Sequence, residues 1–354
     1  MTYDAETETR LLKEGVARIP REWFRANEWV VLAQGLGDLA VLAAGAWLCL
    51  FFPTILGCSP MWVRVPVWVL MAGRIHGLGV LMHDLVHLQV LKREPLKKLL
   101  FDAVICWPIL INMDYYGLAH AYHHQESNVA GRDPYFVPLH ERHPAAYVPY
   151  VVIGSLLLFV VLAVRIALWP FGVAVPAFKR SHIKFFSQLG ASPDLESAER
   201  AEAGKAIWIW CAGPLVFWAA VCAALSVNGM WHAFTMAYGI PMLVSTVLGQ
   251  LRLACDHIYT QALGSSLVEQ VAGATNVEAP WWQQVVMGAH GTSYHALHHV
   301  VPTLPNYRLR AAHELMKQCG SQVYAQTIYR SYGEVLAQLI RAQFAWSRAH
   351  ATPA

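Results

Sequence analysis

Charge is scarce in this chain. Only 14% of residues are Asp, Glu, Lys or Arg, against about 25% in soluble globular domains. Neither sign dominates: 26 basic residues face 23 acidic ones, a net charge of +3. That balance lacks the basic stripe of a nucleic-acid binder, so no nucleic-acid partner is expected. Cysteine motifs are absent too. Cys49, Cys58, Cys106, Cys211, Cys222, Cys255 and Cys319 are scattered, odd in number and mostly inside apolar runs. They read as small buried hydrophobes rather than a disulfide framework. There is no repeat, no low-complexity linker and no second soluble domain. The first 28 residues are polar and charged, so no cleavable signal peptide is visible.

What is abundant is apolar sequence: 56% of the chain is hydrophobic, with a mean hydropathy of +0.36. A spanning helix needs about 20 predominantly apolar residues. Residues 29–53, 60–82, 206–228 and 230–250 meet that requirement. The last two are joined by Val227-Asn228-Gly229, which reads as the turn of a helical hairpin. Residues 98–112 are too short to span comfortably and contain Asp102 and Pro108. Residues 145–176 fit one tilted helix or a re-entrant hairpin. Both are assigned as interfacial or re-entrant, because an even number of crossings keeps residues 83–143 and 251–354 on one side. The basic clusters Lys92, Arg93, Lys97 and Lys98, then Lys179, Arg180 and Lys184, then Arg308 and Arg310, mark that side as cytoplasmic. Trp281-Trp282 fits an interfacial anchor. The expectation is an all-α integral protein of a bacterial cytoplasmic membrane. It has about four transmembrane helices, re-entrant or interfacial helices and a histidine-rich cytoplasmic cap. Residues 1–28 form its N-terminal segment, 29–315 its membrane domain and 316–354 a cytoplasmic helical tail.

Histidine is concentrated in three boxes: His83-Asp-Leu-Val-His87, His120-Ala-Tyr-His123-His124 and His295-Ala-Leu-His298-His299. Spacings of three and four residues place side chains on one helical face, so each box aims its imidazoles the same way. A lone histidine on an apolar helix is more often a satisfied core residue than a ligand. Eight in three short clusters are hard to obtain by accident. Imidazole suits iron, copper, zinc and nickel, and a single zinc would use only four ligands. Eight clustered nitrogens without thiolates point to two metal ions, and fit oxygen-activating irons better than a zinc hydrolase.

The order of apolar pair, HxxxH, HxxHH, apolar hairpin and HxxHH resembles the membrane fatty acid desaturase superfamily, over roughly residues 30–315. The stretch Gly291-Thr-Ser-Tyr-His295-Ala-Leu-His298-His299-Val-Val-Pro302-Thr-Leu-Pro305 is similar to the end of acyl-lipid desaturases, and Tyr238-Gly239-Ile240-Pro241 resembles a stretch of their last span. The resemblance implies two irons held by all three boxes and by a further histidine after the last span, here His257, with molecular oxygen as co-substrate. The asparagine that meets metal-bound water in some members has no evident counterpart: Leu253 stands four residues before His257. No cytochrome domain is fused to the boxes, so a separate ferredoxin-like or cytochrome-type donor is expected. The substrate is expected to be a lipid or another acyl compound held in the bilayer.

Metal-bound imidazoles usually donate their other N–H to a carboxylate or carbonyl. Asp84, Asn128, Asp133 and Asp256 stand near the boxes as candidates for that role. His76, seven residues before His83, is another supporting candidate, and His290 and His313 flank the third box. His140, His143, His182, His232 and His350 read as surface residues. Three functions compete. The first is desaturation of a fatty acyl chain in a lipid or thioester. The second is hydroxylation of a lipid, carotenoid or alkane by the same ligand set. The third is metal binding or transport without catalysis.

Overall fold

The computed structural model describes residues 4–57, 60–88, 94–127, 129, 133, 135, 147–186, 211–258 and 266–349. Asn128, His140, His143, His350, Cys58, Lys92, Arg93, the polar stretch 187–204 and the start of the apolar run at 206–210 lie outside them. Four helices are long and apolar enough to cross a membrane: Glu28–Phe52, Met61–Leu88, Val152–Ala174 and Trp231–Asp256. The helices are numbered here in chain order: α1 (Ala5–Ala17), α2 (Glu28–Leu56), α3 (Pro60–Leu88), α4 (Pro95–Phe101), α5 (Met113–Gln125), α6 (Tyr147–Ala174), α7 (Pro176–Phe186), α8 (Ala212–Val227), α9 (Trp231–Asp256), α10 (Leu267–Ala272), α11 (Trp281–Val286), α12 (His295–Val300), α13 (Asn306–Met316), α14 (Gln322–Gln326) and α15 (Tyr332–Ala349).

The number of long apolar helices matches the sequence expectation, but one member differs. The segment expected to be re-entrant at 145–176 contains α6, one unbroken helix of 28 residues. Pro170 lies inside it without ending it. The run at 206–228 is described only over α8, 16 residues long, since 206–210 lie outside the described residues. The hairpin turn after α8 is as read from sequence, with Gly229 at φ 63. The segment at 98–112 is indeed broken. From α4 it passes through a wide turn at Asp102–Cys106 and a tight one at Trp107–Ile109, and reverses at Leu110, φ 64. It packs among the long helices: Ile105 lies against Gly35 of α2, and Trp218 of α8 donates its indole N–H to Trp107 O at 2.8 Å.

Local chemistry explains the helix boundaries. Asn27 caps α2 by accepting from Trp29 N, and Gly57 ends it in the left-handed region. In α9 the backbone widens over Thr235–Gly239, just before Pro241, which has no amide hydrogen to give to the preceding turn. Tyr238 on that turn reaches Pro108 O at 2.8 Å and ties α9 to the re-entrant segment.

Gly45 faces Met71 and Gly35 faces Leu81, so α2 and α3 are antiparallel. Trp68 meets Met236 and His76 meets Gly249, so α3 and α9 run the same way. Both therefore deliver their C-terminal ends, with His87 and His257, to one end of the bundle. Leu78, Leu81, Ile105, Leu162 and Met242 fill the interior of the bundle. Leu36, Phe51, Ile55, Leu157 and Val160 are exposed on its outside, the arrangement a lipid solvent favours. Beyond the histidine end, Leu12 of α1 packs with Leu297, Leu309, Met316 and Tyr324 in a second core. A two-residue parallel pairing, β1 (Asn276–Val277) with β2 (Ile328–Tyr329), fastens this cap.

Candidate metal centre

All nine histidines proposed as ligands from the sequence converge at the C-terminal end of α3 and α9. They form two groups: His83, His87, His120, His124 and His298 in one, and His123, His257, His295 and His299 in the other. Within each group the ligand atoms lie within 4.8 Å of one another. The single-face argument needs refinement. In each HxxHH box the i,i+4 pair serves one group and the residue between them serves the other. Thus α5 gives His120 and His124 to the first group and His123 to the second. Helix α12 does the reverse, with His295 and His299 in the second group and His298 in the first.

The nitrogens face inward. His120 Nε2 is 2.8 Å from His87 Nε2 and 2.9 Å from His124 Nε2, and His298 Nε2 is 3.1 Å from His124 Nε2. In the second group His295 Nε2 is 2.8 Å from His257 Nε2 and 3.2 Å from His299 Nε2. A ring nitrogen either carries one hydrogen or offers one lone pair. It cannot satisfy two facing ring nitrogens at once, whereas a cation at the centre satisfies all of them. Nitrogens about 2.1 Å from a shared metal and at right angles to it would stand about 3 Å apart. His83 Nε2 is buried and has no hydrogen-bond partner among the described residues. The donor set therefore fits two metal ions. Burial first, and neighbouring imidazoles second, hold His120, His124, His257, His295 and His298 well below the ordinary histidine pKa of 6.5; His299 is lowered by burial and by His123. These rings are neutral at pH 7, the form that ligates.

The outer nitrogens show how the rings are oriented. His123 Nδ1 is 2.9 Å from Asp133 Oδ1, which also accepts from Tyr135 N. His295 Nδ1 is 3.9 Å from Asp256 Oδ2, and Asp256 is paired with Arg252 one turn earlier in α9. Asp84 stands elsewhere: its Oδ1 accepts from Asn306 N and anchors α13. His76 lies outside both groups, against Gly249. His290 bonds Asp38, and His313 bonds Tyr324 and Glu278. His182, read as a surface residue, is buried with Nε2 2.8 Å from Arg165 O. The amphipathic α7 folds back on α6, and sequence alone carries no sign of that return.

Two supporting residues escaped the sequence reading. Tyr116 stacks on His120 one helical turn later, with its hydroxyl 3.3 Å from His120 Nδ1. The i,i+4 spacing to a box histidine was a usable signal for it. Asn276 accepts from Leu297 N in the third box and donates to Thr327 Oγ1. Those partners are 21 and 51 residues away, and no local pattern announces them.

Comparison with known proteins agrees with this geometry. The chain is 25% identical to a ceramide hydroxylase of Caulobacter vibrioides over 272 residues, covering 73% of this chain and 75% of that one. It is 22% identical to an sn-1 oleoyl-lipid 12-desaturase of Picosynechococcus over 310 residues, covering 84% and 83%. A Synechocystis protein of the same description matches at 22% over 328 residues, covering 89% and 84%. Residues 60–331 match the sequence model of the fatty acid desaturase family. A match over that much of the chain, with the boxes brought together inside it, makes this protein a membrane oxidoreductase that belongs to the fatty acid desaturase family.

Proposed function

We propose that the two histidine groups hold two iron ions, that molecular oxygen is the co-substrate, and that the reaction is desaturation of a fatty acyl chain. The observation that carries this reading is the pair of buried and half-buried groups, five and four imidazoles, at the C-terminal end of the long apolar helices α3 and α9. An unactivated methylene has no acidic proton and no leaving group, so no side chain can cleave its C–H bond at neutral pH. The iron pair, when bound, supplies oxygen activation and the oxidising power for that step. The protein supplies position and dryness. His120, His123, His257, His295, His298 and His299 are buried, which keeps bulk water from the ligand shell. Asp133 holds a proton at His123 Nδ1 and so leaves His123 Nε2 free to ligate. Two electrons per double bond come from a separate ferredoxin-like or cytochrome-type donor.

Hydroxylation is the second reading, favoured by the likeness to the Caulobacter ceramide hydroxylase. Non-catalytic metal transport is disfavoured, because the imidazoles converge at one end of the bundle instead of lining a path through it. Purified protein with reductase, donor, oxygen and an acyl lipid deuterated on adjacent carbons separates the readings. Loss of one deuterium from each carbon with a new alkene supports desaturation. One retained pair beside a new hydroxyl would replace it with hydroxylation. Absence of oxygen consumption on any acyl lipid, with iron bound, would remove both.

A further inference from the structure

A buried ion network outside both histidine groups ties the third box to the first. Asp38 of α2 uses both carboxylate oxygens. Its Oδ1 accepts from Arg74 of α3 at 3.2 Å, and its Oδ2 stands 2.8 Å from Nε2 of His290, which precedes the third box. Arg74 gives its other terminal nitrogen to Val285 O in α11. We propose that Asp38, Arg74 and His290 are positioning residues: together they hold the third box against the first and so bring His298 into the five-histidine group. This rests on the two-ion reading above.

Asp38 and Arg74 both lie in helices long enough to cross a membrane, where ionisable side chains are costly and mark function. The Asp38 side chain is 4% exposed. The space for this contact is cut into α3. Gly73 and Gly77 stand one turn apart on one face of it. A Cβ at Gly73 would lie 2.8 Å from Val286 Cα, and one at Gly77 would lie 2.7 Å from Asp38 Oδ2 and 3.1 Å from His290 Nε2. The backbone of His290 is constrained as well. It is held at φ 54, and Gly291 follows at φ 80. Glycine adopts such a conformation freely, whereas another residue stays there where its surroundings fix it. The bond to Asp38 is such a contact.

The two histidine groups depend on this clamp unequally. The four-histidine group has a frame of its own. His257 pairs with Ala274, Thr275 N donates to Asp256 O at 3.0 Å, Ala296 N donates to Thr275 O at 2.8 Å, and Val277 N donates to Ser293 O at 2.7 Å. These bonds tie His257 to the start of α12, and hence to His295 and His299, without using α3. The five-histidine group takes His83 and His87 from α3 and His298 alone from α12. It is complete only when α12 is fixed against α3. His290 precedes α12, and Asn306, whose N donates to Asp84 of α3 at 3.0 Å, follows it. Helix α12 is thus held to α3 on both sides, and the Asp38 clamp is the tie before its first turn.

The test is a chelator titration of the full-length iron-loaded protein in detergent, read by iron content and Mössbauer spectra. His87→Ala and His257→Ala assign the signal of each group. His290→Gly relieves the backbone and removes the bond to Asp38. In it the five-histidine ion should leave at about tenfold lower chelator concentration, one charge-assisted hydrogen bond's worth, while the four-histidine ion is released as in the wild type. Gly77→Ala, which presses on the same bond from α3, should do likewise. His290→Gln can place an amide N–H where Nε2 stands and should restore the wild-type titration, a rescue that backbone strain alone would not give. His290→Asn tolerates a positive φ but ends short of Asp38, and it repeats the test if the glycine variant melts early. Wild-type release of both ions in His290→Gly and Gly77→Ala would overturn the assignment. So would equal early loss of both ions in these variants and His290→Asn, or early loss of the four-histidine ion alone. A wild-type protein that binds a single ion would reject the two-ion reading, and the clamp's role with it.

Discussion

His123 Nδ1 and Asp133 Oδ1 stand 2.9 Å apart, with both side chains buried. The carboxylate fixes the tautomer of a ring whose other nitrogen faces the four-histidine group. Partners of this kind are worth about 10–100-fold in metal affinity. Asp133→Ala is therefore expected to lower bound iron by about that factor, with Asp133→Asn affected less. Iron per protein across a chelator titration measures it; an unchanged titration would show that the contact orients nothing.

His298 comes from the third box but joins the group built by the first two. Its Nε2 is 3.1 Å from His124 Nε2, 174 residues away. His298→Ala should abolish turnover and reduce bound iron while leaving membrane insertion intact, because insertion depends on the apolar helices. Metal analysis of the membrane-extracted variant checks this, and full activity in it would remove His298 from the ligand set.

The division of labour between α5 and α12 shows where sequence legibility ends. The spacing of His120, His123, His124, His295, His298 and His299 declares a ligand face, and the helical period converts it into one stripe. Which residue joins which group depends on the crossing of α3, α5, α9 and α12, a tertiary property. Asp133 and Asp256 were legible as acids near boxes. Asp84 looked equivalent and is not, because its carboxylate is claimed by the backbone of Asn306, 222 residues away. The long apolar helices were legible from composition, but α6 was misjudged. The count of crossings assigned it as re-entrant, whereas it is one continuous helix whose Arg165 is buried within the bundle and donates to Leu110 O at 2.9 Å.

Glu8 is buried in the cap and closes the N-terminal end of α14. Its carboxylate accepts from Ser321 Oγ at 2.6 Å, Gln322 N at 3.2 Å and Val323 N at 3.3 Å. Removing it leaves those donors buried and unpaired, at a cost of about 1–3 kcal/mol. Glu8→Ala should lower the melting temperature in detergent, and Glu8→Gln should lower it less. No change in either would show that the Glu8 contacts add nothing to the docking of α1.

His313 gives the cap an acid sensitivity. Burial lowers its pKa below 6.5, partly offset by the hydrogen bond that its ring N–H donates to Glu278. The unfolded chain thus takes up a proton near pH 6.5 while the folded chain does not. This contribution to stability is present above pH 6.5 and is lost as the pH falls below it. Melting temperature measured from pH 8 to pH 5 should fall on the acid side, and His313→Gln should make that fall shallower. An identical slope in the variant would assign the acid sensitivity to other histidines.

The two ends of the chain meet on the histidine side of the bundle. Glu8 bonds the start of α14, and Arg18 donates to Gln318 O at 2.8 Å. The N-terminal end of α2 lies beside α13, where Asn27 N donates to the hydroxyl of Tyr307 at 2.9 Å. A chain whose ends share one core must cross the bilayer an even number of times. We propose that this side, which carries Lys97, Lys98, Arg308 and Arg310, is the cytoplasmic one, on the positive-inside tendency. Reporter fusions before Ala5 and after Ala354 should both give a cytoplasmic signal. Signals from opposite sides would be incompatible with the shared core of α1, α13 and α14. Matching signals from the outer side would keep that core and reverse the orientation, placing the histidine groups away from cytoplasmic reductants.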